Sequence, residues 1–266
     1  MTDMLSRQPQ LLAALCALTA LLLLAFLTWV VSYVKRDVSI VDSVWSLLLA
    51  LAGVIYAATL PQMGPRTLLV MTLLMAWAVR LAGYITWRNW GEPEDRRYQA
   101  IRARNQPHFE WKSLYLVFVL QAVLAWIVSL PLLPALASTA ALGVLDYVAA
   151  TVVVFGLLFE AAGDAQLASF KARPENRGKV MAGGLWRYTR HPNYFGECCV
   201  WWGFFLFALA AGAWWTLFSP LLMSVLLLKV SGVALLEQDI AERRPQYRDY
   251  ALRTNAFFPG PPKAGS

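Results

Sequence analysis

LLAALCALTALLLLAFLTWVVSYV, residues 11–34, runs for twenty-four positions without a charged side chain. The hydrocarbon layer of a bilayer is about 30 Å thick and takes roughly 20 apolar residues to cross as a helix. A backbone in lipid must satisfy its own hydrogen bonds, so this run reads as a membrane-spanning α-helix. It is not a signal peptide: only Arg7 precedes it, and Lys35 and Arg36 follow in place of a small-residue cleavage site.

Six more stretches have the same character, near 43–60, 67–87, 113–131, 140–159, 195–212 and 214–231. Residues 232–266 return to mixed polarity and form a tail. The 266 residues are 59% hydrophobic and 15% charged, where a soluble domain has about 25% charge. The expected fold is therefore all-α: one polytopic membrane domain over 1–266 with seven transmembrane helices.

The basic residues set the orientation. Segments 35–42, 88–112, 160–194 and 229–266 hold 2, 6, 6 and 6 of the 23 Lys and Arg. With seven helices these segments share one face. Positive-inside bias then places the amino terminus outside and the carboxyl terminus in the cytosol, in an inner membrane if the cell is bacterial. The net charge of +7 follows mostly from that bias and from attraction to anionic lipid. Basic residues scattered over short loops argue against nucleic-acid binding. Cys16, Cys198 and Cys199 show neither paired CxxC nor Cys/His spacing, so no metal site is expected.

The polar features gather at the cytosolic ends of the helices. Loop 88–112 contains EDRRYQAIRAR, which reads as a short surface helix, whereas 131–139 reads as an uncharged external connection. Gly212-Ala213 turns the last two spans into a hairpin. Beyond span seven a charged continuation is expected, then a second short helix after Pro245. Asp42 opens span two. Arg80, Tyr84 and Arg88 form one stripe on span three with Asn89 beside it; ion pairing of Arg80 with Asp42 is its simplest explanation. Glu160 and Asp164 lie one turn apart near the end of span five, followed by Lys171, Arg173 and Lys179.

The densest cluster is WRYTRHPNYFGECCVWW, residues 186–202. Pro192 suits the first turn of a helix, after which Asn193, Glu197 and Trp201 recur every fourth residue on one face. A helix start beside Arg187, Arg190 and His191 suits phosphate, and Glu197 could accept hydrogen bonds from ribose hydroxyls or a carboxamide. Polar groups opening a membrane helix usually contact something. Tyr188, Tyr194 and most of the tryptophans have a simpler explanation in the aromatic belt of any bilayer protein. The fingerprints GxGxxG and GxxxxGK[ST] are absent, which removes soluble-type nucleotide sites from the argument.

GGLWRYTRHPNYFGE, a basic tail with the paired tyrosines Tyr247 and Tyr250, and a terminal FFP resemble the carboxyl-terminal region of steroid 5α-reductase-related membrane proteins. Over nearly its whole length the chain resembles the DUF1295 branch, through SIVDSVW, RNWGEPEDRRYQAIR, FEAAGDAQLASFK, NRGK, RHPNYFGE and LLLKVSGVALLE. The resemblance implies seven helices around NADPH, with the cofactor entrance facing the cytosol. Carried over by motif, Asn193, Glu197, Trp201, Asp164, Lys179 and Asn89 are cofactor contacts. Steroid reductases hold the enone carbonyl with a Gln-Glu pair on an early helix and a Tyr on the next. This chain offers Asp42 and Trp45, then Arg80 and Tyr84.

The expectation is an NADPH-dependent reductase of an activated C=C bond in a hydrophobic substrate. Tyr84, tuned by Arg80 and oriented by Asp42, is the expected acid, with Asp42 as a direct donor in the alternative. Cofactor contacts are expected from Arg88, Asn89, Asp164, Lys171, Arg173, Lys179, Arg187, Tyr188, His191, Asn193, Tyr194, Glu197, Trp201, Glu237, Tyr247 and Tyr250, with the 2′-phosphate on Lys171, Arg173 and Lys179. Isoprenylcysteine carboxyl methyltransferases, remoter relatives, bind S-adenosylmethionine at a comparable place, and Glu197 or Glu237 with aromatics could hold a sulfonium. A lipid-binding membrane protein without catalysis is the third possibility.

Overall fold

The computed structural model describes residues 2–230, 233, 237 and 240–263, and every regular element among them is helical. Among the described residues five helices are long and apolar enough to cross a membrane. They are α1 (Thr2–Lys35), α2 (Ile40–Thr59), α3 (Pro65–Asn89), α5 (Phe109–Ser129) and α7 (Val144–Lys171). Between them lie α4 (Arg96–Arg104) and α6 (Leu132–Ala137). After α7 come α8 (Pro192–Ala210, 19 residues) and the shorter apolar α9 (Trp214–Val230), then α10 (Ile240–Arg243) and α11 (Gln246–Arg253). The chain is thus an all-α polytopic membrane protein.

Local chemistry sets most boundaries. Pro65 and Pro192 open α3 and α8 where a missing N–H is harmless. Asp95 caps α4 by accepting from the Arg97 amide at 2.9 Å. Gly212, at φ +81°, supplies the left-handed turn between α8 and α9. The short helices expected within EDRRYQAIRAR and after Pro245 are α4 and α11. The expected continuation of span seven falls largely on 231–239, of which only 233 and 237 are described.

Two boundaries differ from the sequence reading. The apolar segment 131–139 is no plain connection: it folds as α6, with Leu132, Leu133, Ala135 and Leu136 buried. Span five begins at Val144, where Asp146 takes the Gly143 amide, and continues as helix to Lys171, past the expected end at 159. Glu160 and Asp164 therefore lie inside a helix instead of at its end.

By its contacts the chain forms two units, Met1–Ala150 with Phe204–Ser219, and Thr151–Gly203 with Pro220–Ser266. In the first, α1, α2, α3 and α5 are joined by buried polar bonds, each of which satisfies a group that lipid would leave bare. Ser46 Oγ donates to the Ala78 carbonyl at 2.9 Å, Tyr56 Oη and Ser129 Oγ lie 2.9 Å apart, and Trp126 Nε1 reaches the Ala14 carbonyl at 2.8 Å. Arg66 and Asp146 form a pair 2% and 1% exposed. Burial of the Arg66 charge is made tolerable by that partner.

In the second unit α7 and α8 meet backbone to backbone. A Cβ on Gly196 would stand 2.6 Å from the Gly156 carbonyl, and one on Gly156 would stand 2.6 Å from that of Gly196. Only glycine at both positions permits that approach. Ser224 then ties α9 to α8, accepting from Trp202 Nε1 at 3.2 Å with Cys198 Sγ at 3.4 Å.

Candidate functional site

The glycine contact decides what surrounds the 186–202 motif. Gly196 lies against the Glu160 backbone and Cβ, and Gly163 against the Pro192 ring. Glu160, Asp164, His191 and Glu197 are thereby buried at 2%, 4%, 6% and 7% exposure. Asn193, Glu197 and Trp201 do share one stripe of α8, passing from half-buried Asn193 to fully buried Trp201. His191 stacks on Tyr194 with rings 5.7 Å apart and 9° from parallel. Lys171, Arg173, Lys179, Arg187 and Tyr188 are exposed.

Several residues expected at a phosphate or a nicotinamide are bonded to the protein itself. Arg190 grips Glu237 with Nε and Nη2, both at 2.8 Å, while Nη1 reaches the carbonyls of Ala251 and Thr254. His191 Nε2 lies 2.8 Å from Glu237 Oε1, and Tyr247 Oη donates to the same oxygen at 2.8 Å. Tyr250 Oη donates to the Trp186 carbonyl at 2.5 Å. Glu237, Tyr247, Tyr250, His191 and Arg190 therefore do come together, as a clamp fixing the tail to the motif. Bidentate geometry makes Arg190 a tether instead of a phosphate ligand.

The tail continues the clamp as a strap. Arg190 N donates to the Asn255 carbonyl at 2.9 Å, Thr189 Oγ1 to that of Phe257 at 2.7 Å, and Gly260 N to that of Tyr188 at 3.1 Å. Trp186 Nε1 holds the Gly163 carbonyl at 3.0 Å, and the Leu185 amide donates to Gln166 Oε1 at 2.8 Å. Burial alone would raise the Glu237 carboxyl, but bonds from His191, Arg190 and Tyr247 outweigh it and hold it near a pKa of about 2. Tyr247 is pushed up by burial and by the Glu237 charge.

In the first unit Asp42 sits in the opening turn of α2, both oxygens engaged: Tyr98 Oη donates at 2.6 Å and Arg97 Nη2 at 2.5 Å. The sequence reading gave this carboxylate to Arg80 or Tyr84 and missed both of these partners. The signal was present, since α4 is amphipathic and Tyr98 is its buried member. Arg97 also bonds Asp95, while Arg102 bonds Glu94, which accepts the Val38 amide at 2.9 Å. Loop 88–112 is latched onto the α1–α2 corner, and its cations Arg97 and Arg102 are engaged there. Burial pushes up the Tyr98 phenol, with the Asp42 charge adding to it.

Arg80 and Tyr84 are half-buried on α3, and the Tyr84 ring lies 6.0 Å from that of Trp87. Arg88 is exposed and donates to Asn89 Oδ1 at 3.0 Å. Asp42, Arg80, Tyr84, Arg88 and Asn89 thus belong to the first unit, and the other expected residues to the second. Among the described residues no group of three or more His, Cys, Asp or Glu is placed to hold a metal ion.

A helical membrane protein with buried carboxylates inside its apolar helices is the class these features define. The chain belongs to the family described as "Protein of unknown function (DUF1295)", which matches residues 28–254. It is 27% identical over 275 residues to an uncharacterized protein of Schizosaccharomyces pombe, covering 90% of this chain and 78% of that one. No solved structure matches it.

Proposed function

We propose that this protein is a membrane-embedded, NADPH-dependent reductase of the activated C=C bond of a hydrophobic, enone-like substrate. The supporting observation is Glu197: a carboxylate 7% exposed in an apolar helix, in register with Asn193 and Trp201. A buried acid in a membrane helix is costly and marks a working position. The exposed cations Lys171, Arg173, Lys179 and Arg187 on the same unit suit a ligand carrying several phosphates. Within this reading seven helices cross the membrane, the amino terminus lies outside, and the cofactor side faces the cytosol.

NADPH, when bound, supplies the hydride that adds to the β-carbon. Glu197 and Asn193 then serve as hydrogen-bond partners for ribose hydroxyls or the carboxamide, and Trp201 as an apolar wall. Asp164 takes the adenosine side, and Lys179 with Arg173 the 2′-phosphate. The clamp of Arg190, His191, Glu237, Tyr247 and Tyr250 has a positioning task, since it holds the 186–192 segment from which α8 starts. Tyr84 polarises the carbonyl, with the Arg80 charge favouring donation, and Asp42 keeps loop 88–112 in place through Arg97 and Tyr98.

Titrating NADPH into purified protein tests the reading. Its fluorescence shifts or is quenched on binding, and S-adenosylmethionine serves as the parallel ligand. No response at saturating NADPH sinks the proposal, and a response to S-adenosylmethionine alone replaces it with methyl transfer.

A further inference from the structure

Arg253 and Lys263 bracket TNAFFPGPP, residues 254–262, a stretch without a charged side chain. The Lys263 amide donates to the Arg253 carbonyl at 2.9 Å, so the stretch is a loop closed at its base by two exposed cations. One side of the loop is fastened to the protein, through the carbonyls of Asn255 and Phe257 and the amide of Gly260. The tip faces away: Phe257 is 5% exposed, whereas its neighbour Phe258 is 72% exposed. Phe258 is nevertheless linked to the spanning helices by a ladder of rings. It lies 6.1 Å from Phe195 at the start of α8, Phe195 lies 5.4 Å from Phe159, and Phe159 lies 5.5 Å from Phe155. Phe155 and Phe159 are one turn apart on α7, where Phe155 is 49% and Leu158 62% exposed. Phe159 stands roughly 18 Å before Lys171 along the axis. That is inside the hydrocarbon even if all of the ~10 Å by which α7 exceeds a ~30 Å layer lies at the Lys171 end. The ladder therefore leads from the lipid-facing side of α7 to the loop tip.

We propose that loop 254–262 is seated on the bilayer, with the Phe258 ring dipped below the headgroups and Arg253 and Lys263 on the phosphates of anionic lipid. A bare phenyl ring gains by leaving water, and the ladder gives this one an apolar path beside α7. The backbone stays at headgroup level, where water reaches it. Few of its donors need that water. Pro259, Pro261 and Pro262 have no N–H, and the amides of Thr254 and Gly260 are bonded to the carbonyls of Tyr250 and Tyr188. Charge selects the lipid: Arg253, Lys263 and the exposed Arg248 outweigh Asp249, the one acid of α11. Residues 232–266, too polar for a span, thus make a bilayer contact of their own. Lipid holds from one side the strap that the Glu237 clamp holds from the other. Nothing in this rests on the reductase reading.

The experiment uses the full chain in nanodiscs, one copy per disc, of phosphatidylcholine alone or mixed with phosphatidylglycerol. The probe is a phosphatidylcholine carrying a diazirine on one acyl chain, and adducts are mapped by mass spectrometry. Label should appear on residues 254–263 as well as on the exposed face of α7 around 155–158. Phe258→Ser should lower the loop adduct at least fivefold and leave the α7 adduct unchanged, which also reports that the variant is folded and embedded. Phe258→Trp should keep the loop adduct. Phosphatidylglycerol at low salt should raise it in the wild type but not in the Arg253→Gln, Lys263→Gln double variant, and high salt should erase that difference. Label on α7 with none on 254–263 overturns the proposal, as does a loop adduct indifferent to Phe258→Ser. A loop adduct that ignores phosphatidylglycerol overturns the assignment of Arg253 and Lys263 to lipid phosphates. Label lost when each disc carries two copies assigns Phe258 to a contact between chains and overturns the lipid seat.

Discussion

Arg190 and Glu237 meet side by side, Nε on Oε1 and Nη2 on Oε2, both at 2.8 Å. They lie 47 residues apart, and their contact closes the tail over the start of α8. The same carboxylate takes Tyr247 and His191, so one residue joins three of the groups that hold the tail to the motif.

Glu237→Gln should therefore loosen the tail without unfolding the helices. A hydrogen bond to a charged group contributes about 1.5–3 kcal/mol, discounted here because the pair is partly exposed. Limited proteolysis around Arg253 should speed up several-fold in the variant, and unchanged cleavage would show that the strap is held elsewhere.

The same clamp should be acid-sensitive. Glu237 is lowered from an ordinary 4.5 to about 2, so the stability it contributes is complete above about pH 4.5. That stability is lost as pH falls towards 2, because the unfolded carboxylate takes up its proton first. The thermal midpoint of the wild type should fall across this window by more than that of Glu237→Gln. Parallel curves would remove Glu237 from the account.

Tyr98→Phe deletes a hydroxyl that holds the half-buried Asp42 and should loosen loop 88–112, at about 0.5–1.5 kcal/mol for one hydrogen bond lost. Tryptic cleavage at Arg96 and Arg104 in inside-out vesicles would report it. Faster cleavage from the opposite side of the membrane would reverse the topology proposed here.

Gly196→Ala puts a methyl group 2.6 Å from the Gly156 carbonyl and the Glu160 amide. Neither backbone can yield cheaply, so the helices must separate at a cost of roughly 1–3 kcal/mol. The thermal midpoint should drop and NADPH affinity with it, whereas Gly83→Ala, on an open face, should leave both intact.

Two variants, one single and one double, address the cofactor assignment. Glu197→Gln removes a charged acceptor at nearly constant shape and should weaken NADPH about tenfold to a hundredfold. Arg173→Ala with Lys179→Ala should cost NADPH far more affinity than NADH. Equal losses for the two cofactors, with no change in salt dependence, would leave those cations as topology signals only.

The membrane class, α4, α11 and the Asn193–Glu197–Trp201 stripe were legible because each rests on a local rule: run length, a capping aspartate, a four-residue period. Segment 131–139 was misread because an apolar uncharged stretch looks alike as loop and as buried helix until its neighbours are known. Arg190 and His191 read as phosphate ligands because a cation beside a helix start carries that meaning locally. Their partner Glu237 lies more than forty residues away, and no spacing rule reaches it.

Composition and hydropathy alone determined that this chain lives in a bilayer as helices, because the cost of exposing backbone to lipid leaves no other arrangement. Which polar residues bond to one another was decided only in three dimensions. A carboxylate has the same chemistry wherever it sits, and packing alone sets its neighbour. Glycines 156, 163 and 196 let α7 and α8 touch, and that contact buries Glu160, Asp164 and Glu197 together. The Glu237 clamp is tertiary in the same sense: it exists because the tail folds back onto the turn before α8.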